Sequence, residues 1–322
     1  VERSRGLGDV YKRQYGYMRP NGKAGARNYV LLLPVNRSLN FIASNVERMT
    51  RNTHHFEIPA ETGRTEVDRE VIARTLIGLM NNANVGGIVL LAVKSGAGSA
   101  YKNMCAERFE EEARKTGKPF RIVYLTNVGG SYNMLGETLR LTREVLLEVS
   151  DFRRENCPLS ALTLGVKCGT SDATSGIAGN PCVGAAFDQL IRAGGTAFFS
   201  ETTEIIGAED LVAKRAVNES VAKKILSAAR HWEDKAKATG EDIRKINPIP
   251  ANIAAGISSL EEKSLGAIAK SGTSPIQDVL KYAEMPKGSG LYFVDSWMSS
   301  LSLPLCLTAC GATIMLLSLI HI

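Results

Sequence analysis

Histidine and paired cysteines are scarce in this sequence. Only 4 of the 322 residues are histidine, so a histidine-rich zinc site is excluded and any metal must be bound by carboxylates, hydroxyls or a cysteine. The 6 cysteines form no Cys-x-x-Cys motif, which favours free thiols in a reducing compartment, and we expect the cytoplasm. The sequence also lacks a Gly-x-Gly-x-x-Gly motif, which argues against a nucleotide-binding dehydrogenase.

Charge of one sign is not concentrated in any long stretch, and the C-terminal segment carries none. Lys and Arg number 39 against 33 Asp and Glu, and because the basic residues are scattered we expect no nucleic-acid partner. From Met298 onward there is no Asp, Glu, Lys or Arg, a run long enough for a membrane span. Pro304 and Gly311 divide this run, so we predict a buried helix, a glycine turn and a buried strand at 312–316, and no membrane partner.

The two ends of the chain differ in pattern from the rest. Residues 1–14 have neither helical nor strand periodicity, and the pattern changes at Tyr15. Both this stretch and residues 317–322 resemble translated sequencing-adapter read-through. We therefore expect a non-native leader at 1–14, a non-native tail at 317–322, and a reading frame cut from a longer gene at both ends.

Between these ends, short apolar runs alternate with helical segments. Strands that alternate with helices imply right-handed parallel crossovers, so residues 15–157 are predicted to form a first α/β domain. The pattern breaks near Pro158 and a second series follows, which predicts a catalytic α/β domain at 158–316 that is incomplete at its C-terminus. The predicted fold class is therefore α/β, with two doubly wound, parallel-sheet, Rossmann-like domains, the second of them truncated.

In open α/β sheets, ligands bind at the carboxyl ends of the strands, and the loop Lys167–Gly176 follows such a strand. It is rich in hydroxyls and glycines and contains Lys167 and Asp172. Its backbone N–H groups, hydroxyls and lysine could bind a carboxylate or a phosphate. A capped helix start explains the same composition equally well.

The loop Ser200–Glu209 follows the next predicted strand and contains Glu201, Glu204 and Glu209. Carboxylates this close repel one another unless a divalent metal or an Arg or Lys partner neutralises them. The alternative is that Glu209 only stabilises the first turn of a helix and that Glu201 is solvated.

Two further segments are assigned structural roles. Ser258 or Ser259 is predicted to cap a helix, with Glu261 or Glu262 completing a capping box. The glycine-rich stretch Lys94–Ser99 lacks the Gly-Lys-Ser/Thr ending of a P-loop, so it is predicted to be a turn.

Four ordered blocks carry a resemblance to a known family. They are Gly16–Tyr29, Lys167–Asp172 with Ser175-Gly176 and Asn180-Pro181, Ser200–Glu209, and Leu260–Gly266. These blocks are similar to those of the altronate/galactarate dehydratase family, in its large-subunit portion. The resemblance extends from Tyr15 to about Leu316.

The resemblance implies a metal-dependent carbon–oxygen lyase that removes water from a sugar acid to give a 2-keto-3-deoxy acid. Such an enzyme abstracts the proton α to a carboxylate and expels the β-substituent. The implied cofactor is Fe²⁺, with Mn²⁺ or Mg²⁺ as alternatives. One alternative function is that of the related sulfolactate sulfo-lyase large subunit, which releases sulfite, and another is a non-catalytic acid-binding subunit.

The family likeness also implies roles for individual residues of this sequence. The implied catalytic residues are Lys167, Glu204 and Lys263, the implied substrate-binding residues are Ser171, Thr174, Ser175 and Arg27, and the implied metal ligands are Cys168, Asp172, Glu201 and Glu209. Whether the two lysines bind the substrate carboxylate or act as the base is left open.

Two departures from the family pattern bear on partners and substrate. No small antifreeze-like domain precedes the Gly16–Tyr29 block, so a separate small subunit and an oligomeric assembly are expected. Pro34–Ser38 and Pro59–Gly63 lack the cysteine and histidine usual in sugar-acid hydro-lyases. These segments and Leu291–Ser296 look closer to the sulfo-lyase-like branch, so the substrate is expected to be a sugar acid or a sulfonated hydroxy acid.

Overall fold

The computed structural model describes residues 13–59, 64–93, 102–169 and 171–318. The chain forms two compact units, residues 1–157 and 158–322. The predicted turn at Lys94–Ser99, positions 60–63 and position 170 lie outside the described residues, as do most of the predicted leader and the last four residues of the predicted tail.

The first unit has an alternating order of strands and helices. Its elements are β1 (Arg13–Met18), β2 (Ala24–Gly25), β3 (Tyr29–Pro34), α1 (Asn40–Met49), β4 (Thr53–His55), α2 (Glu66–Asn81), β5 (Val85–Ala92), α3 (Ala106–Lys115), β6 (Phe120–Tyr124), α4 (Leu125–Val128), α5 (Ser131–Ser150) and β7 (Glu155–Pro158). Strands β4, β3, β5 and β6 form a parallel sheet in that order, as the strand and helix alternation predicts.

Both faces of this sheet are covered by helices, which explains why its strands are apolar throughout. Successive side chains of a strand point to opposite faces. Val30 and Leu32 pack with residues of α1 and α5, whereas Leu31 and Leu33 pack with residues of α2 and α3. The result is the three-layer arrangement of a doubly wound domain.

A second, three-stranded sheet was not predicted. Strands β2, β1 and β7 form it in that order, and β1 pairs antiparallel with β2. Its first strand begins at Arg13, so two residues of the predicted leader belong to it. The sequence gives little sign of these strands because they contain glycine and arginine; Arg19, directly after β1, is buried and donates to the carbonyl of Ala83 at 2.7 Å.

The second unit repeats the alternation. Its elements are β8 (Thr163–Cys168), a π-helical turn (Ser175–Gly179) that continues into α6 (Asn180–Arg192), β9 (Thr196–Phe199), α7 (Glu209–Ala213), α8 (Glu219–Lys237), α9 (Ile243–Ile246), α10 (Pro250–Ala254), α11 (Leu260–Ile268), β10 (Ile276–Leu280), β11 (Gly290–Val294), α12 (Ser302–Cys310) and β12 (Ile314–Ser318). Strands β10, β11, β9, β8 and β12 form a parallel sheet in that order. The predicted α/β class is confirmed.

The uncharged C-terminal segment forms a helix and a strand of the second unit. Helix α12 buries Leu303 and Leu307 in a cluster with Phe198 of β9, and Gly311 ends the helix in the left-handed region at φ 115°. The predicted helix and glycine turn are confirmed, but the expected burial of the strand is wrong, because β12 is an edge strand in which Ile314 and Leu317 are exposed. It also extends to Ser318, into the predicted tail. Among the described residues, no helix is long and apolar enough to cross a membrane.

The topology of this sheet decides which loops meet. Strands β8 and β9 are neighbours and run parallel, so their carboxyl ends lie at the same edge. The loops that begin at Cys168 and Ser200 therefore start side by side, although 32 positions separate these residues in the sequence.

Candidate active site

Glu201 joins the loops that follow β8 and β9. The N–H of Cys168 donates to Glu201 Oε2 at 3.0 Å. The backbone of Glu201 has a φ of 72°, in the left-handed region, which costs a non-glycine residue about 1 kcal/mol or more. Its neighbours hold this conformation, because Ser200 Oγ donates to the Val294 carbonyl at 2.6 Å and Thr202 N donates to the Ser296 carbonyl at 2.9 Å.

Two lysines neutralise the Glu201 carboxylate. Lys167 Nζ lies 2.9 Å from Glu201 Oε1, and Lys270 Nζ forms an ion pair with Oε2. The side chain of Glu201 is fully buried and those of the lysines are nearly so. Burial raises the pKa of Glu201, but the Lys270 and Lys167 ammonium groups outweigh it and leave the pKa below its usual range.

Glu204 has one paired and one unpaired carboxylate oxygen. Its Oε2 lies 2.7 Å from Lys270 Nζ, whereas its Oε1 is buried and has no hydrogen-bond partner among the described residues. A buried acceptor without a partner costs about 1–3 kcal/mol, so such atoms call for an explanation. An oxygen left open beside an ammonium suggests an atom that receives a proton or a ligand.

The thiol of Cys168 completes the cluster. Its Sγ lies 3.5 Å from the Ser171 hydroxyl oxygen. Burial, with a further contribution from Glu204, raises the pKa of this thiol to about 11, so it is protonated at neutral pH in the absence of a bound cation. One ligand atom each from Cys168, Glu201 and Glu204 lies within 4.8 Å of the others, and these three residues can together hold a metal ion.

The donor set can be compared with the predicted metals. One sulfur and two carboxylates suit a borderline ion such as Fe²⁺ better than Mg²⁺, which prefers oxygen ligands alone. The unpaired Glu204 oxygen is a free donor of the right kind. The residues present therefore fit Fe²⁺ as well as other transition metals, and they do not select one of these ions.

Lys270 was missed by sequence reasoning. It lies in a short helical turn, Ala269–Ser271, after α11, more than 60 positions from the carboxylates that it contacts. The sequence did indicate that the clustered glutamates need either a metal or a basic partner. It contained no local signal to show that this lysine supplies the positive charge.

Two of the predicted metal ligands have other partners. Asp172 Oδ1 accepts from the Thr174 hydroxyl at 2.7 Å and from the Ser175 N–H at 2.6 Å, and these hydrogen bonds lower its pKa. Glu209 Oε1 lies 2.6 Å from Arg244 Nη2. Neither carboxylate belongs to the metal-competent group formed by the described residues, and metal binding by them stays a prediction.

A pocket of about 220 Å³ is lined by several of the predicted residues. Its lining comprises Ser171, Asp172, Ala173, Ser175, Gly176, Ile177, Asn180, Ile257, Glu262, Lys263, Gly266 and Ala267. The hydroxyl of Ser171 is also the group that contacts the Cys168 thiol, so this residue links the pocket to the cluster. A larger groove, about 1290 Å³, lies between α8 and β10, and none of the predicted site residues lines it.

Lys263 is buried in the wall of the 220 Å³ pocket. Its ammonium donates to Asn247 Oδ1 at 2.7 Å and to Asn252 Oδ1 at 2.9 Å. Both partners are neutral amides, so they satisfy hydrogen bonds without balancing the charge. The carboxylates of Asp172 and Glu262 line the same pocket, so Lys263 is the basic side chain in a lining of mixed charge. The end of the pocket at Lys263 is the part that suits an anionic group.

The two asparagines were not among the predicted site residues. Residues Pro250–Ala254 form α10, with proline in its first turn, where the missing N–H costs nothing. The helix positions Asn252, whose Nδ2 donates to the Ser171 carbonyl at 3.0 Å. Ser171 and Lys263 are thus held by one side chain.

The remaining predicted residues are placed as follows. Thr174 is exposed and donates to Asp172, and Arg27 is exposed in the first unit, so their substrate-binding roles stay predictions. The predicted serine cap is confirmed, since Ser259 Oγ accepts from the Glu262 N–H at 3.2 Å. The Glu262 carboxylate accepts from the N–H of Ser258, one residue before the cap, at 2.7 Å.

Two family profiles match this chain in succession. The profile described as D-galactarate dehydratase/altronate hydrolase, second domain, matches residues 16–150. The profile described as D-galactarate/altronate dehydratase, C-terminal, matches residues 159–318. The cluster around Glu201 and the pocket with Lys263 both lie within this second match.

Curated relatives carry related names. The chain is 34% identical to (2R)-sulfolactate sulfo-lyase subunit beta of Chromohalobacter salexigens over 92% of its length and 74% of that protein. It is 32% identical to altronate dehydratase of Bacillus subtilis over 94% of its length and 61% of that protein. A galactarate dehydratase of Escherichia coli is 42% identical over 51% of the chain and 31% of that protein. The chain therefore belongs to the D-galactarate/altronate dehydratase family, whose named relatives are lyases.

Proposed function

We propose that this chain is the catalytic portion of a metal-dependent lyase that removes water from a sugar acid of the altronate or galactarate type. The product would be a 2-keto-3-deoxy acid. The observation that carries this proposal is the unpaired, buried Glu204 oxygen beside the Lys270 ammonium and the Cys168 thiol. Removal of a weakly acidic α-proton needs a base in a positive environment, and this cluster supplies both.

The substrate carboxylate is assigned to the pocket with Lys263. The ammonium of Lys263 supplies a positive charge that its amide partners do not balance, and the hydroxyls of Ser171 and Ser175 line the same space. A carboxylate bound there would place the neighbouring carbon toward Ser171 and the cluster beyond it. Lys263 is thus proposed to bind the substrate rather than to act as the base.

Glu204 is the proposed base. Its Oε1 is open to accept the α-proton, while Lys270 holds Oε2. Lys167, in contrast, donates to Glu201 and to the Cys168 carbonyl, which favours an orienting role for this lysine. Orientation of a catalytic group by a neighbour lowers the entropic part of the barrier.

Cys168, Glu201 and Glu204 are the residues that would hold the Fe²⁺ ion, with Mn²⁺ or Mg²⁺ as alternatives. The bound cation would supply positive charge to stabilise the enediolate that forms when the α-proton leaves. A ligand role for Glu204 would use one of its oxygens and leave the other for the proton. Asp172 and Glu209 are not needed for this arrangement.

Sulfolactate cleavage is the second candidate. It is favoured because this chain covers 74% of the sulfo-lyase subunit but only 61% of the altronate dehydratase. The chemistry differs only in the leaving group, which is sulfite instead of water. The name of that relative includes a subunit designation, which supports the expectation of a separate small subunit and an oligomeric enzyme.

The test is anaerobic turnover of altronate, galactarate and sulfolactate by the full-length protein with Fe²⁺, with and without a small subunit. Keto-acid formation from altronate or galactarate that is lost in Glu204→Gln and retained in Asp278→Asn supports the dehydratase. Asp278 is a suitable control because its carboxylate pairs with Lys224 on the surface. Sulfite release from sulfolactate alone would select the second candidate, and no turnover of any acid would favour a non-catalytic acid-binding subunit.

A further inference from the structure

The buried cluster is electrically balanced without a metal ion. Two ammonium groups, of Lys167 and Lys270, face the two carboxylates of Glu201 and Glu204. These four charged side chains are all less than 10% exposed. Because buried charges interact strongly, the two ammonium groups repel an added divalent cation. The carboxylates have no unbalanced negative charge left to attract it.

Lys270 contacts the two carboxylates that would bind such a cation. Its ammonium forms ion pairs with Oε2 of Glu201 and, at 2.7 Å, with Oε2 of Glu204. These are two of the three residues that can jointly hold a metal. The lysine is itself 2% exposed, so water does not weaken its pairing with either carboxylate.

We infer that Lys270 is a built-in occupant of the metal site, whose ammonium must leave Oε2 of Glu201 and Oε2 of Glu204 before a divalent cation can bind these two oxygens; Glu204 Oε1 has no described partner beforehand. This inference rests on the proposed metal site at Cys168, Glu201 and Glu204. The consequence is a specificity filter, because only a cation that also gains the Cys168 sulfur recovers what it loses by displacing the lysine. Ions that bind oxygen alone, such as Mg²⁺, are disfavoured.

The backbone that directly follows Lys270 is held by two charged side chains. Arg215 donates to the Ser271 hydroxyl at 2.8 Å and to the Ser271 carbonyl at 3.1 Å. Asp188 accepts from the N–H groups of Thr273 and Ser274, each at 2.9 Å. Exchange of lysine for metal is therefore confined to the lysine side chain and does not require the turn to move.

Lys118 provides a matched control in the first unit. It is also buried, and its ammonium donates to the carbonyls of Met80 at 2.6 Å and Asn82 at 2.8 Å. Its described partners are carbonyl groups, so Lys118→Met removes a buried lysine side chain without freeing a carboxylate. Lys270→Met is the same substitution, but it removes the ammonium partner of two carboxylates, those of Glu201 and Glu204.

The experiment compares wild type, Lys270→Met and Lys118→Met by thermal unfolding in EDTA and in Mn²⁺, and by calorimetric titration with Mn²⁺. In Lys270→Met we expect Mn²⁺ to bind at least about tenfold more tightly than in wild type, because its competitor is gone. Mn²⁺ should also raise the midpoint of Lys270→Met by more than about 5 °C beyond its effect on wild type. Lys118→Met should respond to Mn²⁺ as wild type does.

Mn²⁺ binding to Lys270→Met that is equal to or weaker than wild type would overturn the inference and assign the lysine a positioning role. If Lys270→Met fails to fold in EDTA, the double variant Lys270→Met/Glu204→Gln has one fewer buried charge and serves instead. This double variant should lose the Mn²⁺ response; a response that persists places the metal elsewhere and also overturns the inference. None of these readouts uses turnover, so an inactive protein with the expected Mn²⁺ response would reject the proposed function alone.

Discussion

Replacing Glu201 with glutamine should destabilise the second unit far more than replacing Glu204 with glutamine. Glu201 accepts from Lys167, from Lys270 and from the Cys168 N–H, so both of its oxygens are used. A glutamine at this position turns one acceptor into an NH₂ donor that faces an ammonium. Breaking a buried ion pair by removing one partner costs about 3–5 kcal/mol.

Glu204 offers the comparison within the same cluster. It has a single described partner, Lys270, and its second oxygen is unpaired. Its replacement by glutamine removes one charged hydrogen bond and also the unpaired oxygen, so we expect a loss of about 1–2 kcal/mol. Activity should follow the opposite order if Glu204 is the base, because Glu204→Gln removes the proton acceptor itself.

Tryptophan fluorescence isolates the unit in question. The chain contains 2 tryptophans, Trp232 and Trp297, and both lie in the second unit. At about 2–4 °C per kcal/mol for a unit of this size, Glu201→Gln should lower the fluorescence midpoint by roughly 6–20 °C. Equal midpoints for Glu201→Gln and Glu204→Gln would refute the reasoning, because they would mean that the additional contacts of Glu201, with Lys167 and the Cys168 N–H, contribute no stability.

Three further predictions concern other parts of the molecule. Burial lowers the pKa of Lys118 to about 7, so between pH 7 and the ordinary lysine value the unfolded chain binds one more proton than the folded chain. The free energy of unfolding, followed by circular dichroism, should therefore rise with pH in wild type relative to Lys118→Met. A parallel or falling curve would contradict this. In urea unfolding, Gly272→Ala should lower the free energy of unfolding by more than about 2 kcal/mol and Gly240→Ala by about 1 kcal/mol. Both glycines have a positive φ, but only at Gly272 would the added Cβ lie 2.6 Å from Asp188 Oδ1. Equal losses would remove the steric part of the explanation. Lys263→Met should raise KM for the acid substrate at least about tenfold with a smaller effect on kcat, and the reverse split in steady-state kinetics would make Lys263 part of the chemical step.

The α/β class could be predicted from the sequence because it depends on local patterns that repeat. Apolar runs such as Tyr29–Pro34 are buried on both faces, and a parallel sheet covered by helices is the arrangement that buries them. The charge-free C-terminal segment was likewise readable, since Gly311 and Pro304 limit the length of its helix. The β1, β2 and β7 strands were not, because they are held by pairing across the chain rather than by an apolar pattern.

The candidate site was predictable where it depends on strand ends. The strand order of the fold makes β8 and β9 neighbours and brings Cys168 to Glu201, whereas the sequence indicated that each loop follows the carboxyl end of a buried strand. It did not determine which glutamate would be left unpaired, since Glu204 and Glu209 are equally acidic in one short loop. Only the tertiary structure shows that Arg244 forms an ion pair with Glu209 and that one oxygen of Glu204 has no described partner.

Lys270 and the two asparagines beside Lys263 depend on the tertiary structure. Lys270 reaches the carboxylates because the turn after α11 packs against α6, where Asp188 fixes it. These contacts with the carboxylates and with Asp188 join residues 66 to 86 positions apart, and no local periodicity encodes them. The residue types and the order of strands thus determined where chemistry takes place in this chain, and long-range packing decided which side chains balance the charge there.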